Sequence, residues 1–384
     1  MAYTEYPWDP RVRTESETLA REGYEVHVIA VRPTSGRSPL VLDDVHLWEV
    51  PLSTRRGGKV RYVFQYAMFL VLSSLKLMKL HYEEPFDLVH VHSLPDFQVL
   101  STLPLRLQGV PVLLDLHEAM PEILRARFRL GPGAILNRTA ILLEAISCRY
   151  ADHVIAANDG IRAALVGRGV PGQKVTTVYN AGDVQSELPS PDKLRRELGL
   201  PNGPLIVHAG GINPERDLET LVRSMRELAS TTDIHLVIAG NGAPDYVASI
   251  QDLVAELGLS TRVHFLGRVP REQALALMSL SAVGLITLES NPLTELAWPT
   301  RIVEFAKLGK LLVVPNLRFI RETLGAAARY YVPGNPIDLS RVLQTALHQP
   351  ELDTSSASEL KQVVERFNSS RTRERFLSVC RNLV

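Results

Sequence analysis

The chain has 384 residues, too many for one ordinary core, so two domains of roughly 150 to 200 residues each are the default. Lys+Arg and Asp+Glu balance at 42 each, which excludes the basic surplus of a nucleic-acid-binding chain, and no nucleic-acid partner is expected. With 45% hydrophobic and 22% charged residues and no repeat of short fixed period, the composition is that of an ordinary globular protein.

Residues 1–10 are polar, aromatic and rich in proline, unlike a signal peptide. Residues 9–22 carry helical periodicity, 25–31 read as a strand, and 41–50 follow as paired strands. The basic turn Arg55-Arg56-Gly57-Gly58-Lys59-Val60-Arg61 then leads into a helix over 62–82, apolar around more than half its circumference. Two readings stand for this helix. It meets the inner surface of a membrane that carries the acceptor, or it packs on the sheet beside a solvated basic loop. Its most apolar part, 68–80, is short and holds Lys76 and Lys79, so it does not span a bilayer.

Next come Phe86-Asp87-Leu88-Val89-His90-Val91-His92 and the run 110–118, each an apolar segment with a polar end. Such runs between helices read as parallel strands covered on both faces, whose carboxyl ends face the ligand crevice. A single histidine there is more often a structural hydrogen-bonder, but two such ends with Asp115 and Glu118 point to a cleft. Residues 123–150 read as loop and long helix, with Arg125, Arg127 and Arg129 facing either that cleft or water. Further strands are expected at 153–157 and 175–179, the latter running into Asn180-Ala181-Gly182-Asp183. Cys148 and Cys380 are far apart and lack metal-type spacing, so a reducing compartment, the cytoplasm, is the expected location and no metal is expected.

Between 182 and 204, Pro189, Pro191, Pro201 and Gly203 interrupt a short basic helix and mark a boundary. The division is therefore a first domain over 1–182, a linker over 183–203, a second domain over 204–366 and a terminal helix over 367–384. Strands in the second domain are expected at 205–209, 235–239, 262–266, 283–288, 311–314 and 329–332. Gly210 and Gly211 follow the first of them, where glycine lets backbone N–H groups approach an anion, and Arg216 can meet phosphate oxygens bidentately. Between the fourth and fifth strands a loop becomes a helix near Pro299, whose first turn, at Thr300, offers unpaired N–H groups and the positive end of the macrodipole. Glu304, about one turn inside, can accept hydrogen bonds from a sugar hydroxyl. The plainer alternative is a core helix with Ile302, Val303, Phe305 and Ala306 inside and Glu304 at its surface. Gly240-Asn241-Gly242 is compatible with any tight strand-to-helix turn.

Taken in order, these motifs resemble the GT-B glycosyltransferases of the retaining family 4, glycosyltransferase group 1. The resemblance is carried by Asp9-Pro10-Arg11-Val12-Arg13, by His90 to Asp96 as His-x-His-x-x-Pro-Asp, and by Asp115-x-His117-Glu118. It continues in Asn180 to Asp183 at the hinge, in Gly240-x-Gly242, and in Pro299-Thr300-Arg301-Ile302-Val303-Glu304 with Gly309-Lys310 after it. It implies an α/β architecture of two Rossmann-like domains facing across a cleft, the first binding acceptor and the second nucleotide sugar, with the terminal helix crossing back to the first. Relatives have a full strand before the first helix. Here only Met1-Ala2-Tyr3-Thr4 stands there, so that strand is short or missing, and without it the sheet has an exposed central edge.

The implied activity is transfer, with retention, of a sugar from a nucleotide-diphosphate donor, a UDP-sugar first and a GDP-sugar next, to an acceptor hydroxyl. A glycan or lipid-linked acceptor in surface polysaccharide or glycolipid assembly is the expected partner. His117, Arg216 and Glu304 are the expected catalytic residues. Gly210, Gly211, Arg216, Arg268, Thr300, Arg301 and Glu304 would hold the donor, and Arg11, His92, Asp96 and Glu118 the acceptor and sugar side. No cofactor is implied. Two departures stand out: Gly211 occupies the place of the family's arginine, with Arg268 or Arg301 as compensation, and Leu296 lies eight residues before Glu304 where a carboxylate is usual, with Glu295 one position off. A sugar-nucleotide 2-epimerase and a non-catalytic sugar-nucleotide-binding subunit are the competing readings. A nicotinamide dehydrogenase lacks its Gly-x-Gly-x-x-Gly.

Overall fold

In the computed structural model the described residues are 1–33, 41–52, 59–180, 188–349 and 354–384. Residues 55–58 of the basic turn and Ala181-Gly182-Asp183 of the expected hinge motif lie outside them. The chain divides into two compact units, Met1–Asn180 with Ser370–Val384, and Ala181–Ser369.

In the first unit, α1 (Pro10–Arg21) starts where the Asp9 carboxylate accepts from the backbone N–H groups of Arg11 and Val12, each at 3.2 Å. Strands β1 (Val26–Val31), β2 (Val41–Leu42) and β3 (Val45–Val50) form a sheet in the order β1-β3-β2, with β2 and β3 antiparallel. Asp43 and Asp44 between them have φ of 52° and 61°, the left-handed pair that closes a two-residue hairpin. After α2 (Lys59–Glu83) a second, parallel sheet runs β4 (Val89–His92), β5 (Val112–Leu116), β6 (His153–Ala156) and β7 (Val175–Thr177), in that spatial order. Helices α3 (Leu103–Arg106), α4 (Met120–Phe128), α5 (Ile135–Tyr150) and α6 (Asp159–Gly167) alternate with these strands.

Met1–Thr4 occupies the gap between the two sheets. The Met1 amine donates to the His90 carbonyl at 2.7 Å and the His92 N–H to the Met1 carbonyl at 2.9 Å, while Ala2 N–H donates to Ile29 O at 3.0 Å and Val31 N–H to Thr4 O at 2.9 Å. These few residues thus bond to both neighbours as a short central strand, the short one of the two expected alternatives, and the edge is not left open along them.

Helix α2 combines features of both readings of its sequence. Phe69, Leu77 and Leu80 are in the core, whereas Phe64, Val71, Leu75 and Met78 are exposed and Tyr82 is 91% exposed. Their spacing places them on one face. No helix among the described residues is long and apolar enough to cross a membrane.

The second unit opens with α7 (Pro191–Glu197) and then alternates β8 (Leu205–Ala209), α8 (Leu218–Ala229), β9 (His235–Ala239), α9 (Pro244–Glu256), β10 (Val263–Gly267) and α10 (Arg271–Leu280). It continues with β11 (Gly284–Leu285), α11 (Thr300–Lys307), β12 (Leu312–Pro315), α12 (Arg318–Leu324), β13 (Ala328–Tyr331), α13 (Pro336–His348) and α14 (Thr354–Arg366). The sheets β10-β9-β8 and β11-β12-β13 are joined by a bridge between Leu205 and Ser281, where Ala282 N–H donates to Leu205 O at 2.7 Å. Sequence order therefore reverses between β8 and β11, the switch point at which a doubly wound sheet opens a crevice beyond its carboxyl ends. The last helix, α15 (Ser369–Arg381), belongs to the first unit from Ser370 on, where Phe376, Val379 and Cys380 pack with Leu113, Ile155 and Val178. Cys148 and Cys380 are free thiols, both buried.

Candidate functional site

At the switch point of the second unit, β8 runs directly into Gly210 and Gly211. Gly210 has φ 152°, and a Cβ there would lie 2.3 Å from Arg301 Nη2, so the Arg301 guanidinium rests on the glycine backbone. The loop is braced from the other side: a Cβ on Gly240 would sit 1.6 Å from Gly210 O, and one on Gly242 would sit 1.8 Å from Ile212 O. Gly240-Asn241-Gly242 thus lets two loops meet backbone to backbone, with Gly210 N–H donating to Ala239 O at 2.7 Å and Ile212 N–H to Asn241 O at 2.8 Å.

Arg216 ends the short 3-10 turn Pro214–Arg216, and Asp217, at φ 48°, caps α8 through Thr220 N–H at 3.4 Å. Burial and then the Arg216 charge push the Arg301 guanidinium down to about 10. His208, buried in β8 with Nε2 3.4 Å from Gly211 O, is pushed down to about 3 by burial and then by Arg301 and Arg216, so it stays neutral. Two partly exposed cations therefore share a corner with glycine backbone and a neutral imidazole. Such a corner suits an anion, which would relieve the repulsion of the cations and their desolvation together.

Thr300 is the first residue of α11, after Pro299 at the cap. Glu304, one turn later, is 5% exposed, and its Oε1 accepts from Arg271 Nη2 at 2.8 Å. Arg271, the first residue of α10, escaped the sequence reading: it lies 33 positions from Glu304, with no local pattern linking them. His208 also escaped it, although its place at the end of the first strand of a Rossmann half was the available signal. Glu295 is not at the site. Its Oε2 accepts from the Arg318 backbone N–H at 2.9 Å and its Oε1 from Ser290 at 3.1 Å, which fastens the loop to the start of α12. That loop is also held to the Arg216 turn, where Glu289 N–H donates to Glu215 O at 3.2 Å. Arg268 is exposed on the bend after β10.

In the first unit the ends of β4 and β5 form a separate cluster. Arg11 donates from Nε to Asp115 Oδ2 at 2.7 Å and from Nη2 to Oδ1 at 2.8 Å, while Nη1 reaches Val178 O at 3.1 Å and Asn180 Oδ1 at 2.7 Å. Its side chain is 4% exposed. Arg11, expected on the acceptor side, is instead an internal clamp that fixes the end of β5. His92 Nδ1 lies 3.0 Å from His117 Nε2, and Asp115 Oδ2 lies 3.4 Å and 3.3 Å from those two atoms. Burial holds His92 down to about 4, whereas Arg11 and His117 hold Asp115 well below the usual carboxylate range against its burial.

Glu15 and His90, also missed from sequence, complete the cluster. Burial raises Glu15 well above the usual carboxylate range and lowers His90 well below the usual imidazole range. His117 is partly exposed and Glu118 exposed. Asp96, expected beside them, is a second correction: it is buried, pushed up to about 8 by burial and then by Glu144, next to the network in which Arg168 pairs with Glu144 at 2.7 Å and with Glu122 at 2.8 Å. A carboxyl at the start of a turn that packs inward on α5 cannot meet a sugar.

Residues 9–181 match the family model described as "Glycosyl transferase 4-like domain", and residues 190–362 match "Glycosyl transferases group 1". Among curated proteins the chain is 23% identical over 356 residues to the 2-deoxystreptamine glucosyltransferase of Streptomyces kanamyceticus, covering 90% of this chain and 84% of that protein. It is 24% identical to the N-acetyl-alpha-D-glucosaminyl L-malate synthase of Bacillus anthracis over 268 residues, 68% of this chain and 65% of that protein. Among solved structures, sucrose-phosphate synthase from Thermosynechococcus elongatus superposes with a TM-score of 0.77 at 18% identity, covering 97% of this chain and 92% of that one. Anabaena HepE in complex with UDP and glucose superposes at 0.72 and 17% identity, covering 99% and 98%. Fold and family models agree: this chain is a glycosyltransferase of group 1, the GT4 family, with the GT-B fold of two Rossmann-like domains.

Proposed function

We propose that this protein transfers a sugar, with retention of configuration, from a nucleotide-diphosphate donor to an acceptor hydroxyl. The observation that carries the reading is the Arg301 guanidinium lying on the Gly210 backbone beside Arg216, a positive corner at the switch point. In a glycosyl transfer of this kind the leaving group is a nucleoside diphosphate, and stabilising its developing charge is the protein's main task. Arg216, Arg301, the backbone N–H of Gly211, with Gly210 allowing the close approach, and the first turn of α11 at Thr300 supply that charge, in the place a divalent cation takes elsewhere. Glu304 takes the ribose hydroxyls, and His117 meets the transferred sugar. Retention by front-face departure, in which the leaving phosphate helps deprotonate the acceptor, follows from likeness to the family. A UDP-sugar is the donor we favour, supported by the fold shared with a protein solved with UDP and glucose.

For the acceptor we favour a lipid-linked or surface glycan, met at the inner face of the membrane. The exposed apolar face of α2 supports this, with Arg61 and Lys79 exposed on the same helix to meet anionic headgroups. The test is nucleoside diphosphate release from a panel of UDP-, GDP- and dTDP-sugars, run beside Glu304→Ala. Release from one donor, lost in the variant, establishes the reaction and names the donor. Thermal stabilisation by a donor without any release would replace the reading with a binding subunit.

A further inference from the structure

The two glycines at the end of β8 are glycines for different reasons. Gly210 has φ 152°, a conformation that disfavours any side chain. Gly211 lies outside the left-handed region, so its backbone would accept an ordinary residue. Space is what it lacks. A Cβ built on Gly211 would lie 3.3 Å from Asn213 Nδ2, closer than side chains normally pack. Each glycine thus has its side-chain place taken by a nitrogen donor from another residue, the Arg301 guanidinium at Gly210 and the Asn213 amide at Gly211.

The Asn213 side chain is not occupied with the local backbone. It stands at the cap of the turn Pro214–Arg216, where an asparagine ordinarily accepts from a backbone N–H, yet it makes no such bond. Its Oδ1 is buried without a hydrogen-bond partner among the described residues. The carbonyl is therefore the inner end of the amide, and the N–H2 is the end at Gly211. Gly211 is exposed and Asn213 partly so, which leaves the place beside them open to a solute. The turn also ties Asn213 to Arg216, whose backbone N–H donates to Asn213 O at 3.0 Å.

We propose that Asn213 is a further donor-binding residue, whose amide N–H2, set in the side-chain place of Gly211, donates to an oxygen of the diphosphate beside Arg216 and Arg301. That the anion is a nucleoside diphosphate rests on the reading above; the amide as an anion donor rests on the geometry of the two glycines. An amide donates without carrying charge. It adds a hydrogen bond to the anion without adding to the repulsion between the two cations, as a third cation would.

Titration calorimetry of the whole chain with UDP, inorganic pyrophosphate and uridine reads the phosphates and the nucleoside apart. Asn213→Ala is expected to weaken UDP and pyrophosphate by about tenfold each, the lower end for a hydrogen bond to a charged group, and to leave uridine unchanged. Unchanged affinity for both diphosphates in the folded variant overturns the proposal. So does a loss for uridine as large as that for UDP, since a merely structural asparagine would deform the site for every ligand. Asn213→Asp keeps the shape and the carbonyl and turns the N–H2 into an anionic oxygen. It is expected to weaken both diphosphates more than alanine does, although a carboxylate beside Arg216 and Arg301 should raise the ligand-free melting temperature. Undiminished UDP binding in Asn213→Asp overturns the proposal equally, and this variant decides the matter if Asn213→Ala does not fold. A wild type that binds pyrophosphate and responds to both substitutions, yet binds no nucleotide, counts against the nucleotide-sugar reading alone. One that binds UDP with both variants unchanged counts against the amide alone.

Discussion

Both units bury charge at the carboxyl ends of their parallel strands, and they handle it in opposite ways. In the first unit buried charges meet protein partners: Arg11 is spent on Asp115 and Arg168 on Glu144 and Glu122, while burial raises Glu15 and holds Asp96 up to about 8. In the second, Arg301 and Arg216 lie by glycine backbone and a neutral histidine, and burial, then the Arg216 charge, lowers Arg301 although Glu304 opposes it. A buried network that closes on itself is scaffold, whereas two cations gathered beside glycine backbone suit an anion.

The sharpest way to break this contrast is to remove one arginine from each unit. Arg11→Met leaves Asp115 as a buried carboxylate without its fork, and loss of one partner of a buried pair costs about 3–5 kcal/mol. Chemical denaturation should show that loss in the first unit, and an unchanged midpoint would show the clamp to be unimportant. Arg301→Met should behave in the reverse sense. It removes one of two repelling cations, so the ligand-free melting temperature should hold or rise, while affinity for UDP falls by about 10- to 150-fold, the worth of a charged hydrogen bond. A variant that melts lower and still binds UDP as tightly would place Arg301 with the scaffold.

The pH dependence of the first unit sharpens the same point. Asp96, raised to about 8, keeps in the folded state a proton that the unfolded chain has lost above its ordinary value of 3.8. Stability from this residue is therefore present at low pH and is lost as pH rises from about 4 to 8. Asp96→Asn should flatten the decline in melting temperature between pH 5 and 8, by an amount on the order of 1 kcal/mol after allowance for the other groups that titrate there. An identical slope in the variant would show that Asp96 ionises freely.

Most of the fold was legible because it rests on local pattern. The apolar runs at 205–209 and 235–239 coincide with β8 and β9, and the glycines after them announce the anion loop. What stayed hidden depends on pairs distant in sequence. Nothing near Arg11 or Asp96 showed that one would be bonded to Asp115, 104 positions away, and the other turned inward on α5. Motif position placed both residues at strand or helix ends, where a ligand is as good a partner as the protein's own groups. Only packing separates those outcomes. The first strand was read as short or missing, and it is the short one: between two finished strands even four residues find backbone partners on both sides.

Arg271 and Glu304 lie between the two extremes and give the smallest expected effect. Glu304 is almost wholly buried and Arg271 about half exposed, at 6% and 54% of their side chains, so the pair resembles a closed network on one side and a solvated one on the other. A ribose that bonds to Glu304 has to share its oxygens with Arg271 or displace it. Exposed ion pairs contribute little, so displacement should cost a nucleotide no more than about fivefold in affinity. Arg271→Ala should accordingly tighten UDP binding by up to about that factor, read by titration calorimetry, if the arginine only holds the place of the sugar. Weaker binding in the variant would mean that Arg271 touches the nucleotide itself, and the donor site would then extend from α11 to the start of α10.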